Sequence, residues 1–190
     1  VAEYRSVIMK KVHSEEDPKE AEIILEEIQA EVTRQQQEFF RIFSTEILPE
    51  LKKKNIVLYM NDQAEPEHKA FIADYFREEV FPFLQPVMLF KDDIRIFIRD
   101  NRIYQVVHLK KKDTGEIHYA IIKIPYAKIP RFIELPKIRE TYYYMFAEDL
   151  IAVNLKEVFI AYDVLGTYNI KISRDADIFV DADKQSDIVE

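Results

Sequence analysis

Between Asp17 and Asn55 apolar residues recur every three or four positions, at Ile24, Ile28, Val32, Phe39, Ile42, Ile47 and Leu51, with charged residues filling the intervals. That spacing winds one continuous apolar stripe along an α-helix. Its start is marked: Asp17 caps, Pro18 suits the first helical position, and Glu20 stands where a capping box places its carboxylate. Pro49 has no N–H to donate and crowds the turn behind it, which predicts a kink or a weakened last turn. Lys52 to Lys54 then complement the negative end of the helix dipole. A stripe this long needs further helices or a partner to cover it, so the segment reads as the remnant of a helical bundle.

After Asn55 the period changes. "IVLYM" is a short apolar strand, and "EPEHKAFIADYFREEVF" is a helix that buries Phe71, Tyr75 and Phe76. "FPFLQPV" is punctuated by prolines and is expected to be a connection. "RIYQVVHLKKK" and "EIHYAIIKI", joined through "DTGE", alternate as a hairpin with Val107, Leu109, Ala120, Ile122 and Ile124 on one face. "PYAKIPRFIELP" reads as a proline-bounded link, "TYYYMF" as a strand, "AEDLIAVNLKEVF" as a helix and "GTYNIKISR" as a last strand. Irregular alternation with a hairpin gives an α+β class on a mixed or antiparallel sheet. The expected division is a helical remnant over residues 1–55 and an α/β head domain over 56–190.

Composition narrows the chemistry. The chain has 190 residues, 48% of them hydrophobic, enough for a packed core. Gly115 and Gly166 are its only glycines, which excludes a Walker loop and a dinucleotide fingerprint. It contains no cysteine, so it offers neither a disulfide framework nor a thiolate nucleophile, in keeping with a reducing compartment. No apolar run reaches the length of a membrane span, and the first residues are unlike a signal peptide. "VAEYRSVIMKKV" reads as helix without a cap before it, and "DADKQSDIVE" starts a helix without a body, so a piece of a longer polypeptide is expected.

The net charge of -8 is unevenly spread. Lys91 to Arg139 holds twelve basic and six acidic residues, whereas Thr141 to Glu190 holds four and ten. Only the middle stretch would attract a polyanion; as solvated strand and loop faces the same charges need no ligand. Of the four histidines, His13, His68, His108 and His118, none has a helical i, i+4 partner. In a two-residue hairpin register His108 and His118 fall on opposite faces, poor geometry for shared metal binding, and all four are expected at the surface or a sheet edge. Acids at Glu15, Glu16, Asp17 and Glu20, and again at Asp181, Asp183 and Asp187, mark helix starts rather than a metal site. Tyr142, Tyr143 and Tyr144 alternate faces in a strand and cannot make one stacking platform. In "SRDAD" Arg174 stands alone between acids, read first as an ion pair at a strand end and second as a phosphate contact.

Several stretches occur together in the order and spacing of one family. "FFRIFSTEILPELKKKNIVLY", "YFREEVFPFLQPV", "YAIIKIPYAKIPRFIELP", "FAEDLIAVNLKEVF" and "YNIKISRDADIFVDAD" resemble the polyphosphate kinases, from the end of a helical N-terminal domain through the head domain. "IPRFIELP" and "SRDAD" are the most specific of these; Val87 to Arg102 resemble the pattern least. The resemblance implies a phosphotransferase that moves the terminal phosphoryl group of ATP reversibly onto polyphosphate, through a phosphohistidine and with Mg2+. Its catalytic histidines belong to two later domains related to phospholipase D, and an asparagine near the nucleotide base lies before Val1, so no catalytic residue carries over. The head domain is implicated in dimer contacts and in framing the polymer channel, with Arg174 and Arg131 as the channel residues to test. Partners implied are the downstream catalytic domains, a second copy and polyphosphate, in the cytoplasm, free or peripheral to the membrane. This segment alone is expected to bind neither ATP nor Mg2+, to hold no metal and to be inactive. The competing reading is a stand-alone module binding nucleic acid or another polyanion, with affinity falling steeply with salt.

Overall fold

The computed structural model describes residues 18–60, 63–89 and 102–172. They fall into two units, the helical stretch 18–37 and a body from Glu38 to Ile172. The uncapped first segment, Asp17, His13, and everything from 173 onward, Arg174 and "SRDAD" included, lie outside the described residues.

The long helix forms as the stripe predicts, as α1 (Pro18–Ile42). It continues through a π-helical turn (Phe43–Ile47) into α2 (Leu48–Lys53). In that turn the Leu48 N–H reaches back to the Phe43 carbonyl. The weak point expected at Pro49 therefore lies one turn upstream, because widening the helix there relieves the proline ring of the carbonyl behind it. The described residues leave much of the stripe uncovered: Phe39 is 73% exposed, and Val32, Ile42 and Ile47 are exposed as well. α2 ends at Lys53, and just beyond it Asn55 takes a φ of 57°, the left-handed conformation that closes a helix.

In the body, β1 (Ile56–Tyr59) pairs parallel to β6 (Thr141–Phe146), which pairs antiparallel to β5 (Phe132–Ile138). A second sheet, all antiparallel, has the order β2 (Pro86–Leu89), β4 (Ile117–Lys123), β3 (Arg102–Lys111), β7 (Tyr162–Ile172). Between β1 and β2 the chain makes a 3-10 turn (Pro66–His68), α3 (Lys69–Tyr75), a π turn (Phe76–Val80) and a second 3-10 turn (Phe81–Phe83). α4 (Ala147–Val158) packs on β6, β7 and the Phe76–Val80 turn. The result is an α+β fold with one mixed and one antiparallel sheet.

The hairpin alternation holds residue by residue. Val107 stands opposite Ala120, and Val107, Leu109, Ala120 and Ile122 are fully buried. Gly115 turns the hairpin at φ 73°. They join Phe76, Met145, Leu150 and Ile151 in a single core. Phe76 is the fully buried aromatic of its helix, with Phe71 and Tyr75 packed at the margin.

Two expectations are corrected. The second half of "PYAKIPRFIELP" is strand β5, and Pro86 opens strand β2 rather than a connection. Both strands lie at sheet edges, where a missing N–H costs no ladder bond; Pro136 falls within a register shift between Leu135 and Ile138.

Candidate functional site

The parallel strands β1 and β6 finish side by side, and α4 begins where β6 ends. At those carboxyl ends lies a recess of about 330 Å³. Its walls include Met60 after β1, Phe146 and Glu148 at the start of α4, Arg131 before β5, and Lys171 and Asn169 near the end of β7. Crevices at the carboxyl ends of parallel strands, facing a helix N-terminus, are common ligand seats.

Arg131 is built into the recess from both its backbone and its side chain. Phe146, the residue preceding α4, makes no side-chain cap; the Arg131 carbonyl instead accepts the Ala147 N–H at 2.9 Å. The Arg131 Nε lies 3.6 Å from Oε1 of Glu148, and its guanidinium sits over the Phe146 ring at 5.5 Å. Glu148 is 5% exposed, whereas the Arg131 side chain is 55% exposed. The remaining Glu148 oxygen, the Tyr126 hydroxyl and Gln105 Oε1 are buried without a hydrogen bond within 3.5 Å. Burial, then the Glu148 carboxylate, push the Tyr126 phenol well above its usual range. Gln105 Nε2 donates to the Glu148 carbonyl at 3.1 Å and to Asn169 Oδ1 at 3.2 Å.

The charges of this recess balance. Arg131 and Lys171 face Glu148 and Asp149, so a phosphate gains no net attraction and Arg131 acts foremost as a clasp between β5 and α4. The structure therefore brings Arg131 to a recess but does not surround it with further unopposed cations. Arg174, the other channel residue, lies outside the described residues.

The histidines separate as the hairpin register requires, but one was misread. His68 is 1% exposed, not at the surface. Its Nε2 is 2.7 Å from the Pro136 carbonyl, which can only accept, so Nε2 carries the proton. Nδ1 then accepts from the Tyr59 hydroxyl at 2.8 Å, and the same hydroxyl oxygen accepts the Glu65 N–H at 3.1 Å. The Tyr143 ring closes over His68 at 4.7 Å. Both imidazole nitrogens are committed, and the group is structural. A buried histidine held at both ring nitrogens takes its partners from other elements, here Tyr59 of β1 and Pro136 of β5, which spacing within one element does not reveal. His108 and His118 do fall on opposite faces: His108 stands opposite Tyr119, His118 opposite Leu109. His108 stacks on Tyr119 at 4.9 Å, and His118 meets Tyr162 edge-on.

Tyr142, Tyr143 and Tyr144 alternate as expected, with Tyr142 taking the Lys137 ammonium 3.6 Å over its ring. Among the described residues no three His, Cys, Asp or Glu side chains gather as a metal site, and no helix is long and apolar enough to cross a membrane.

Residues 67–190 match the family described as the polyphosphate kinase middle domain. A polyphosphate kinase of Vibrio parahaemolyticus is 32% identical over 163 residues, covering 81% of this chain and 23% of that protein. One from Escherichia coli is 27% identical over 173 residues, covering 88% of this chain and 25% of its own. The crystal structure of polyphosphate kinase from Porphyromonas gingivalis is similar at 39% identity with a TM-score of 0.79, covering 95% of this chain and 26% of that one. The chain spans about a quarter of the length of the curated relatives it matches.

Proposed function

The chain belongs to the polyphosphate kinase family, and from that premise we propose that it is the front, non-catalytic part of an enzyme transferring the terminal phosphoryl group of ATP reversibly to polyphosphate. The observation that carries this reading is the likeness to the Porphyromonas gingivalis enzyme along nearly the whole chain. Residues 1–55 close a helical domain, and 56–190 form the head domain. Chemistry proceeds through a phosphohistidine that other domains supply. His68 has no free nitrogen for in-line attack, and His108 and His118 lie on opposite faces of their hairpin. Mg2+ and ATP are likewise held elsewhere, so this part contributes no step of the transfer. It offers scaffold, contacts to a second copy and the rim of the polymer path.

Arg131 serves that rim by holding the start of α4, and Arg174 is the residue to test for direct contact with polymer phosphates. The experiment is polymer synthesis by the complete enzyme with both neutralised. A channel role requires weaker polyphosphate use with unchanged nucleotide affinity. Unchanged synthesis by Arg174→Gln, combined with loss by Arg131→Gln only in proportion to lost stability, reduces both to scaffold. A complete wild-type protein that forms no polymer from ATP overturns the reading itself.

A further inference from the structure

Alternate positions of a strand share one face, and the core face of β3 carries Ile103, Gln105, Val107 and Leu109. The three aliphatic residues pack in the core. Gln105 lies as deep as they do, 1% exposed and opposite the fully buried Ile122 of β4. An amide in that place costs stability. Its Oε1 is buried without a hydrogen bond, and an apolar side chain of similar size would bury no such group. The apolar packing of β3 gives no reason for Gln105, so its use lies in what its nitrogen holds.

Nε2 donates at 3.1 Å to the Glu148 carbonyl, in the first turn of α4, and at 3.2 Å to Oδ1 of Asn169. Asn169 stands directly opposite Gln105 on β7. The amide cannot be turned over, because the Glu148 carbonyl only accepts. Phe146 gives this turn of α4 no side-chain cap, and two grips replace it. From the side of β5, the Arg131 carbonyl accepts the Ala147 N–H and the guanidinium faces the Glu148 carboxylate. From the antiparallel sheet, Gln105 takes the Glu148 carbonyl. Arg131, Glu148 and Asn169 all line the recess, so both grips bear on its walls.

We propose that Gln105 is a positioning residue: at a cost in core stability it braces the first turn of α4 against β3 and β7, and so fixes Arg131 at the rim of the polymer path. The last step rests on the family reading above. Neither partner of Nε2 depends on Gln105 to be satisfied, since the Glu148 carbonyl belongs to the helix and Asn169 is exposed to water. Removing the amide therefore orphans no acceptor and takes away one buried unpaired oxygen, yet it releases the turn. Stability and position are separable at this residue.

The test is Gln105→Met in the complete enzyme, read by hydrogen exchange with mass spectrometry and by steady-state polymer synthesis. Exchange in the β3–β4 hairpin reports opening of the whole body and is expected to stay within about twofold of wild type. The first turn of α4 is expected to exchange about fivefold faster, the factor that one net hydrogen bond is worth. KM for polyphosphate should rise severalfold, with kcat and the KM for ATP unchanged. A variant that does not fold, or one in which hairpin and helix both exchange faster, makes Gln105 an ordinary core residue and overturns the proposal. Unchanged exchange at α4, or a loosened turn with an unchanged KM for polyphosphate, overturns it as well. A wild-type protein that makes no polymer sinks the family reading instead, and the exchange comparison then decides by itself whether Gln105 braces the turn.

Discussion

Replacing Tyr59 by Phe removes one oxygen and leaves the ring, so it isolates the hydrogen bonds that hold His68. The Tyr59 hydroxyl donates to His68 Nδ1 at 2.8 Å and accepts the Glu65 N–H at 3.1 Å. Glu65 is exposed, and its N–H recovers water; His68 is 1% exposed, and its Nδ1 does not. A buried acceptor left without a donor costs about 1–3 kcal/mol, so Tyr59→Phe is expected to lose about 2 kcal/mol. For a chain of this size that lowers Tm by roughly 4–8 °C. Tyr143→Phe is the control, because Tyr143 meets Tyr59 and His68 through its ring, at 5.4 and 4.7 Å. It is expected to stay within about 0.5 kcal/mol of wild type. Urea unfolding with an unchanged m-value measures both, and a cycle with His68→Leu apportions the loss. Once His68 is leucine, Tyr59→Phe should cost at least about 1 kcal/mol less than in the wild type. A Tyr59→Phe protein as stable as wild type, or one equally destabilised in the His68→Leu background, would refute the assignment of His68 as a doubly held structural group.

The remaining predictions concern the recess, the core and the alkaline limb. Arg131→Ala leaves the Glu148 carboxylate buried without its cation; because the arginine is half-exposed the cost is discounted to about 1–2 kcal/mol, and Glu148→Gln in the same protein should return part of it in thermal denaturation. Ile122→Ala opens a cavity in the fully buried hairpin face and is expected to cost about 2–5 kcal/mol by urea titration. Gly115→Ala meets no clash, since the nearest atom is Lys110 Cε at 3.7 Å, yet it forces an alanine to φ 73° and should cost about 1 kcal/mol in the same assay. Burial raises the phenol pKa of Tyr59, Tyr75 and Tyr126, so the unfolded chain releases these protons first and stability falls as pH rises above the ordinary tyrosine range near 10. Absorbance titration at 295 nm should show a late-ionising group of tyrosines that merges with the rest in urea.

What was legible in the sequence follows the range of the interactions. The α1 stripe, the hairpin with Val107 and Ile122 on one face, and the helix after "TYYYMF" all rest on spacing within one element, and periodicity reports that directly. Strand β5 was hidden because Pro130 precedes it and Pro136 lies within it, and proline is a valid strand breaker only where a ladder bond on both sides is required. That β5 and β2 are edges depends on strand order, a property of the whole sheet. His68 and Glu148 were invisible as buried groups for the same reason: their partners, Pro136 and Arg131, are supplied by a different part of the chain. Arg131 was singled out from its position in "IPRFIELP", but its carbonyl cap on Ala147 could be seen only in three dimensions.

The central claim is that this chain is the structural front of a polyphosphate kinase whose phosphoryl-carrying histidine lies elsewhere. The most direct test incubates the complete native protein with radiolabelled ATP and Mg2+, follows polymer formation, and maps the acid-labile phosphate by mass spectrometry under alkaline conditions. The account predicts polyphosphate and a label on a histidine outside these 190 residues. Label on His13, His68, His108 or His118, or no polymer from a folded and complete protein, would contradict it.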